Sequence, residues 1–246
     1  NLKSFLTYAF PAFCYFVSNN CMFHIIRHLG ASTFQIMKQL NVLSTGIFMY
    51  VFLRRSLSWL QWKALIILAI GCMVTQLNST VENGHVAADT TRSSLVGYTL
   101  VLVSATASGA GGVFSEKLLK GPGGEQKKTN DKVSIHWQNM QLYVFGLVFG
   151  LVSLRLDAKS GRLVYSDVFQ GFNAFAYATV ATLAICGLLV SFILKYLDNV
   201  AKCFCAALSM LCVALLDSAI KQEAIPLRMV LGILLTALAL EQYNLS

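Results

Sequence analysis

Stretches of about twenty mostly apolar residues recur eight times along this chain, at 5–26, 31–53, 59–77, 95–118, 136–154, 172–194, 198–220 and 225–242. In a bilayer every backbone N–H and C=O must be satisfied within the segment, so each run reads as a helix. Charge is scarce, at 12% of residues against 56% hydrophobic ones, where soluble domains carry about 25%. The fold class that follows is an all-α polytopic membrane protein. The net charge of +8 belongs largely to short loops, where Lys and Arg set orientation, and gives no reason to expect nucleic acid.

Alternation of the eight runs puts Lys3, Arg54, Arg55, Lys63, Lys117, Lys120, Lys127, Lys128, Lys132 and Lys195 on one side of the membrane. Seven other basic residues fall opposite, and Lys38 and Lys202 lie in the runs themselves. The excess predicts that the 119–135 loop is cytosolic. Sequons at Asn78 and Asn244 abut the membrane or fall on the cytosolic side, so neither is expected to carry glycan. All seven cysteines lie inside runs, which argues against a disulfide framework, and the two-residue spacing of Cys203 and Cys205 argues against a metal pair. The histidines are scattered, with no Walker-type glycine loop and no GxSxG, so neither an enzyme nor a cofactor or metal site is indicated.

The two lysines inside apolar runs carry most of the functional information. An ammonium at the bilayer centre costs roughly 2.5–3.5 kcal/mol on insertion scales, so it faces an interior, pairs with something or snorkels. Lys38 shares a face with Gln35, Asn41 and Thr45, and such a stripe turns toward the bundle. Lys202 shares a face with Ala206 and Ser209 and lies close enough to the end of its run to snorkel, with Asp198 as a candidate N-cap. Asn19 and Asn20 face a partner helix or a ligand, Asn139 and Tyr143 share a face, and Glu116-Lys117 reads as a solvated ion pair. The small-residue run 104–112, with Ala105, Gly109 and Gly112 near one face, predicts close helix packing or a substrate path.

Tight turn, run, short polar turn and run recur at matching offsets from His28 and from Tyr196. The first three runs match the last three in inverted orientation, a common transporter plan with a site near the midplane. Three runs then face five, predicting two further helices ahead of residue 1 and ten in all. The chain would be a single membrane domain over 1–246, with 1–78 ending a first repeat and 95–246 forming a second.

Asn19-Asn20, the stretches 31–36, 52–62 and 112–120, Asn139-Met-Gln-Leu-Tyr143 and Lys195-Tyr-Leu-Asp-Asn-Val-Ala-Lys202 together resemble the nucleotide-sugar transporter family within the drug/metabolite transporter superfamily. The branch is the one moving UDP-galactose, UDP-N-acetylglucosamine and CMP-sialic acid. The resemblance implies an inverted-repeat, ten-helix antiporter of the Golgi membrane, or of the endoplasmic reticulum. It would exchange a cytosolic pyrimidine nucleotide sugar for a luminal nucleoside monophosphate by alternating access. It implies that Lys202 meets phosphate and that Asn19, Asn139 and Tyr143 line a nucleotide pocket. The chain departs from the branch at Phe34, where a tyrosine is usual, and at Asn41, where a lysine is usual; Lys38 stands one turn earlier. With Gln35, Asn41 and Ser209 these form the candidate substrate contacts. Membrane lipid is a partner by composition, and a homo-oligomer or a glycosyltransferase partner is compatible with the pattern. The rival readings are another drug/metabolite-type carrier, for sugar phosphates or for export, and a non-transporting scaffold for a glycosyltransferase.

Overall fold

The structure, a computed structural model, describes residues 2–54, 57–82, 91–120, 135–159, 172–222 and 227–244. Ten helices lie in these segments: α1 (Leu2–Thr7), α2 (Ala9–Leu29), α3 (Ala31–Met37), α4 (Leu40–Leu53), α5 (Trp59–Glu82), α6 (Thr91–Lys120), α7 (Ile135–Lys159), α8 (Ala174–Tyr196), α9 (Asn199–Lys221) and α10 (Leu227–Asn244). They fall on the eight runs, two of which are split. Lys127, Lys128 and Lys132 lie outside the described residues.

The first split follows from Pro11. Proline lacks an N–H and crowds the carbonyl four residues back, here Thr7, so α1 ends there. Tyr8 instead bonds Phe5 at 3.1 Å, a tighter turn, and α2 begins at Ala9. The second split, at Lys38-Gln39, has no proline or glycine to mark it. The amides of Gln39, Asn41 and Val42 each bond a carbonyl three residues back, at 3.0–3.2 Å, so the helix narrows to 3₁₀ geometry in mid-span. The expected uninterrupted helix over 31–53 is thus corrected to two helices meeting at the lysine.

Among the described residues four stretches are long and apolar enough to cross a membrane: Thr33–Leu53, Leu95–Lys120, Ile135–Leu156 and Ala174–Tyr196. Trp59–Thr75, Asn199–Val213 and Met229–Tyr243 are shorter apolar helices. The outer faces of α7 and α8 show Leu147, Leu151, Phe175 and Ile185 to the surroundings, as lipid requires.

Local chemistry fixes several ends. Ser58 and Gln61 form a reciprocal capping box at the start of α5, at 3.1 and 3.2 Å. Asn173 Oδ1 accepts from the Ala176 amide at 2.9 Å to cap α8. Arg54 ends α4 in the left-handed region, at φ 52°, and Lys117 Nζ donates to the nearby Phe52 carbonyl at 3.1 Å, a cation where the helix dipole is negative.

α6 is the central strut, packed on α2, α4, α8 and α9, while α5 pairs with α10. Its small residues let neighbours approach. A Cβ on Gly111 would stand 3.0 Å from Cys14 of α2, and one on Gly109 only 2.6 Å from Ser44 Oγ of α4. Ser44 Oγ in turn donates to the Ala105 carbonyl at 2.7 Å. One apolar cluster joins Val42, Met49, Leu65, Leu68, Val113, Val200 and Phe204 across α4, α5, α6 and α9; a second joins Ile25, Phe34 and Val101. All seven cysteines are free.

Candidate substrate-binding site

Three of the cavities between these helices share side chains. The largest, about 550 Å³, lies among α2, α6, α7, α8 and the start of α9. One wall is Tyr8, at the junction of α1 and α2, with Ala12, Tyr15 and Asn19 of α2, and another is Asn139, Leu142, Tyr143 and Gly146 of α7. Both sets follow the three- and four-residue spacing of one helix face. Lys202 completes it. A second cavity, about 430 Å³, has Gln35, Lys38, Gln39 and Asn41 on one side and Lys202, Cys203, Ala206, Ala207 and Met210 of α9 on the other. A third, about 180 Å³, includes Ser18, Asn19, Lys38, Asn41 and Ser104. Lys202 therefore belongs to the two larger cavities, Lys38 to the two smaller, and Asn19 to the first and third.

Among the described residues no lining residue of the three is acidic, and neither Lys38 nor Lys202 has a carboxylate partner within ion-pair distance. Two cations on walls without counter-charge raise the local concentration of anions. Hydrogen-bonding capacity is also left open. Asn139 is 3% exposed and Ser115 4%, yet Asn139 Nδ2 and Ser115 Oγ have no partner among the described residues. Both line the largest cavity, and buried polar atoms are rarely left so.

The position of Lys202 is set by the start of α9. Asp198 Oδ1 accepts from the Ala201 amide at 2.7 Å, the cap read from the sequence. Glu116 of α6 is fully buried. Its Oε2 accepts from the Asn199 amide at 2.8 Å, and its Oε1 pairs with Lys120 at 2.7 Å. The expected solvated Glu116-Lys117 pair is thus corrected: Glu116 is interior, its cation is Lys120, and it supplies negative charge to the N-terminus of α9. Asn199, also fully buried, donates through Nδ2 to Thr45 Oγ1 at 3.4 Å. Gly112 sits opposite. A Cβ there would stand 2.7 Å from both amide atoms of Asn199 and 2.9 Å from Lys202 Nζ. The absence of a side chain at Gly112 leaves room for the Asn199 amide and the Lys202 ammonium.

Of the eight residues proposed from sequence, Lys202, Lys38, Asn19, Asn139, Tyr143, Gln35 and Asn41 line these cavities. Ser209 lines none of the three. It is exposed and donates to the Ala206 carbonyl at 2.9 Å. The cavity face of α9 runs through 203, 206, 207 and 210, with Ser209 to one side. Asn20 is exposed and returns its amide to the Phe16 carbonyl at 2.8 Å, so the pair divides, with Asn19 alone on the cavities. Sequence reading missed Tyr8, Tyr15, Ser115 and Ser191, which also line the largest cavity. Tyr8, Tyr15 and Asn19 share one face in an otherwise apolar run, and that spacing was the available signal.

A family model described as nucleotide-sugar transporter matches residues 1–244. The chain belongs to the nucleotide-sugar transporter family. CMP-sialic acid transporter 1 of Oryza sativa subsp. japonica is 32% identical over 255 residues, covering 98% of this chain and 73% of that protein. The UDP-N-acetylglucosamine transporter of Rattus norvegicus is 32% identical over 222 residues, covering 90% and 65%. The UDP-galactose translocator of Bos taurus is 35% identical over 204 residues, covering 83% and 49%. These relatives are transporters, not enzymes, and the long apolar helices make this member of the family a multi-pass membrane protein. The basic, carboxylate-free cavities suit that family, whose cargo carries phosphate.

Proposed function

We propose that the protein is an antiporter that takes up a cytosolic pyrimidine nucleotide sugar and returns a luminal nucleoside monophosphate by alternating access, in the Golgi membrane. One observation carries the reading: Lys202, packed against Gly112, is the residue shared by the two larger cavities, whose linings hold no acidic side chain among the described residues. Its ammonium is a compact, strongly hydrated point charge suited to phosphate. Asn19, Asn139 and Tyr143 surround the largest cavity and would orient base and ribose, with Ser115 Oγ and Asn139 Nδ2 as open hydrogen-bonding atoms. Together the two larger cavities fall in the range of about 300–1,000 Å³ that small-ligand sites occupy.

The reading includes a ten-helix protein built from inverted repeats. The pairing of α5 with α10, the last helices of the two matching units, supports that plan. Uptake into liposomes tests the function. Vesicles containing the purified protein and loaded with UMP or CMP are expected to accumulate labelled UDP-galactose, UDP-N-acetylglucosamine or CMP-sialic acid faster than empty vesicles. Lys202→Gln should lower uptake by about 100-fold, the scale of a lost charge-assisted contact. Equal uptake with and without a loaded monophosphate would exclude exchange, and wild-type rates in Lys202→Gln would remove Lys202 from the site.

A further inference from the structure

The 430 Å³ cavity carries an ammonium from each side, Lys202 from α9 and Lys38 from the turn between α3 and α4. A single phosphate at Lys202 leaves Lys38 unanswered. Lys38 is exposed, although it sits inside a stretch apolar enough to cross a membrane. Among the described residues it meets no carboxylate, and the walls of both its cavities hold none.

Its neighbours are also short of partners. Asn41 Oδ1 is buried without a hydrogen bond among the described residues. Gln39 Nε2 has Met210 Sδ at 4.0 Å, and a thioether is a weak acceptor. The narrowed turn brings Lys38, Gln39 and Asn41 onto this one cavity. A cation flanked by amides with spare capacity is a receptor for an oxyanion.

We infer that Lys38 forms a second anion subsite, which takes the negative group lying beyond the first phosphate of a nucleotide sugar. That group is either a second phosphate, as in a nucleoside diphosphate sugar, or a carboxylate on the sugar itself. The inference rests on the reading that Lys202 takes the first phosphate. It gives the two exchanged ligands different weights. A nucleoside monophosphate has nothing to offer Lys38, so this subsite holds the incoming nucleotide sugar and not the returning nucleotide.

Competition in liposomes tests it, with unlabelled UMP, CMP, UDP-galactose and CMP-sialic acid displacing a labelled nucleotide sugar. Lys38→Gln is expected to weaken UDP-galactose, CMP-sialic acid or both about tenfold while UMP and CMP shift less than twofold. Lys38→Arg, which keeps the charge, should stay near wild type. Loss for UDP-galactose alone identifies a second phosphate, and loss for CMP-sialic acid alone identifies a carboxylate. If Lys38→Gln leaves both nucleotide sugars unchanged, or weakens the monophosphates equally, the subsite is overturned. Lys202→Gln should weaken all four ligands. If it weakens none, or if the wild type binds none, the proposed function fails first and the subsite falls with it.

Discussion

The two intramembrane lysines have the same chemistry and opposite surroundings. Lys202 stands in the first turn of α9, against a glycine, and beside an asparagine whose amide is held by a buried carboxylate of another helix. Lys38 stands exposed at a narrowed turn, with amides around it and no fixed partner among the described residues. The first is a built position, costly to disturb and preorganised for a ligand. The second is adaptable, and a long lysine stem can settle on whatever the cavity admits. Common and variable parts of a cargo are expected to divide between two such places.

The contrast predicts a steep difference in how substitutions around each lysine behave. The largest effect is expected from Glu116→Ala. It leaves the buried Asn199 backbone amide and the part-buried Lys120 without their acceptor, a loss of about 3 kcal/mol. Thermal unfolding in detergent should show it, and a melting temperature equal to wild type would mean that Glu116 does not organise α9. Next comes Gly112→Ala, whose methyl meets the fully buried Asn199 and the Lys202 ammonium. Overpacking of about 1–3 kcal/mol is expected, with nucleotide affinity falling for monophosphates and nucleotide sugars alike. Unchanged affinity would show that Lys202 is as free as Lys38. The smallest effect is reserved for Ser209→Ala. The side chain is exposed, bonds its own helix and lines none of the three cavities, so uptake should stay within twofold of wild type.

Helices were legible in the sequence because length and apolarity suffice to specify them in lipid, and the Asp198 cap because Asp before a helical run has few other uses. Pro11 was an overlooked signal for the end of α1. The narrowing at Lys38 had no sequence signal, since no residue there forces it. Glu116 was misread for a different reason. Its local partners suggested solvent, but the group that defines it, the Asn199 amide, is 83 positions away and adjacent only after folding. Tyr15 lay in plain view by its spacing from Asn19, whereas Ser191 was hidden in the most apolar stretch, α8.

The bond between Glu116 and the Asn199 amide also has a kinematic meaning. It ties the root of α9 to α6, which in turn packs on α2 and α4. Any tilt that switches the open side of the protein must carry Lys202 along as a passenger on α6 or else unlatch this one amide. Hydrogen exchange at Asn199 therefore distinguishes the two kinds of motion: an amide that stays protected during transport means the Lys202 charge rides with the strut, and one that exchanges then means it is handed from one body to the other.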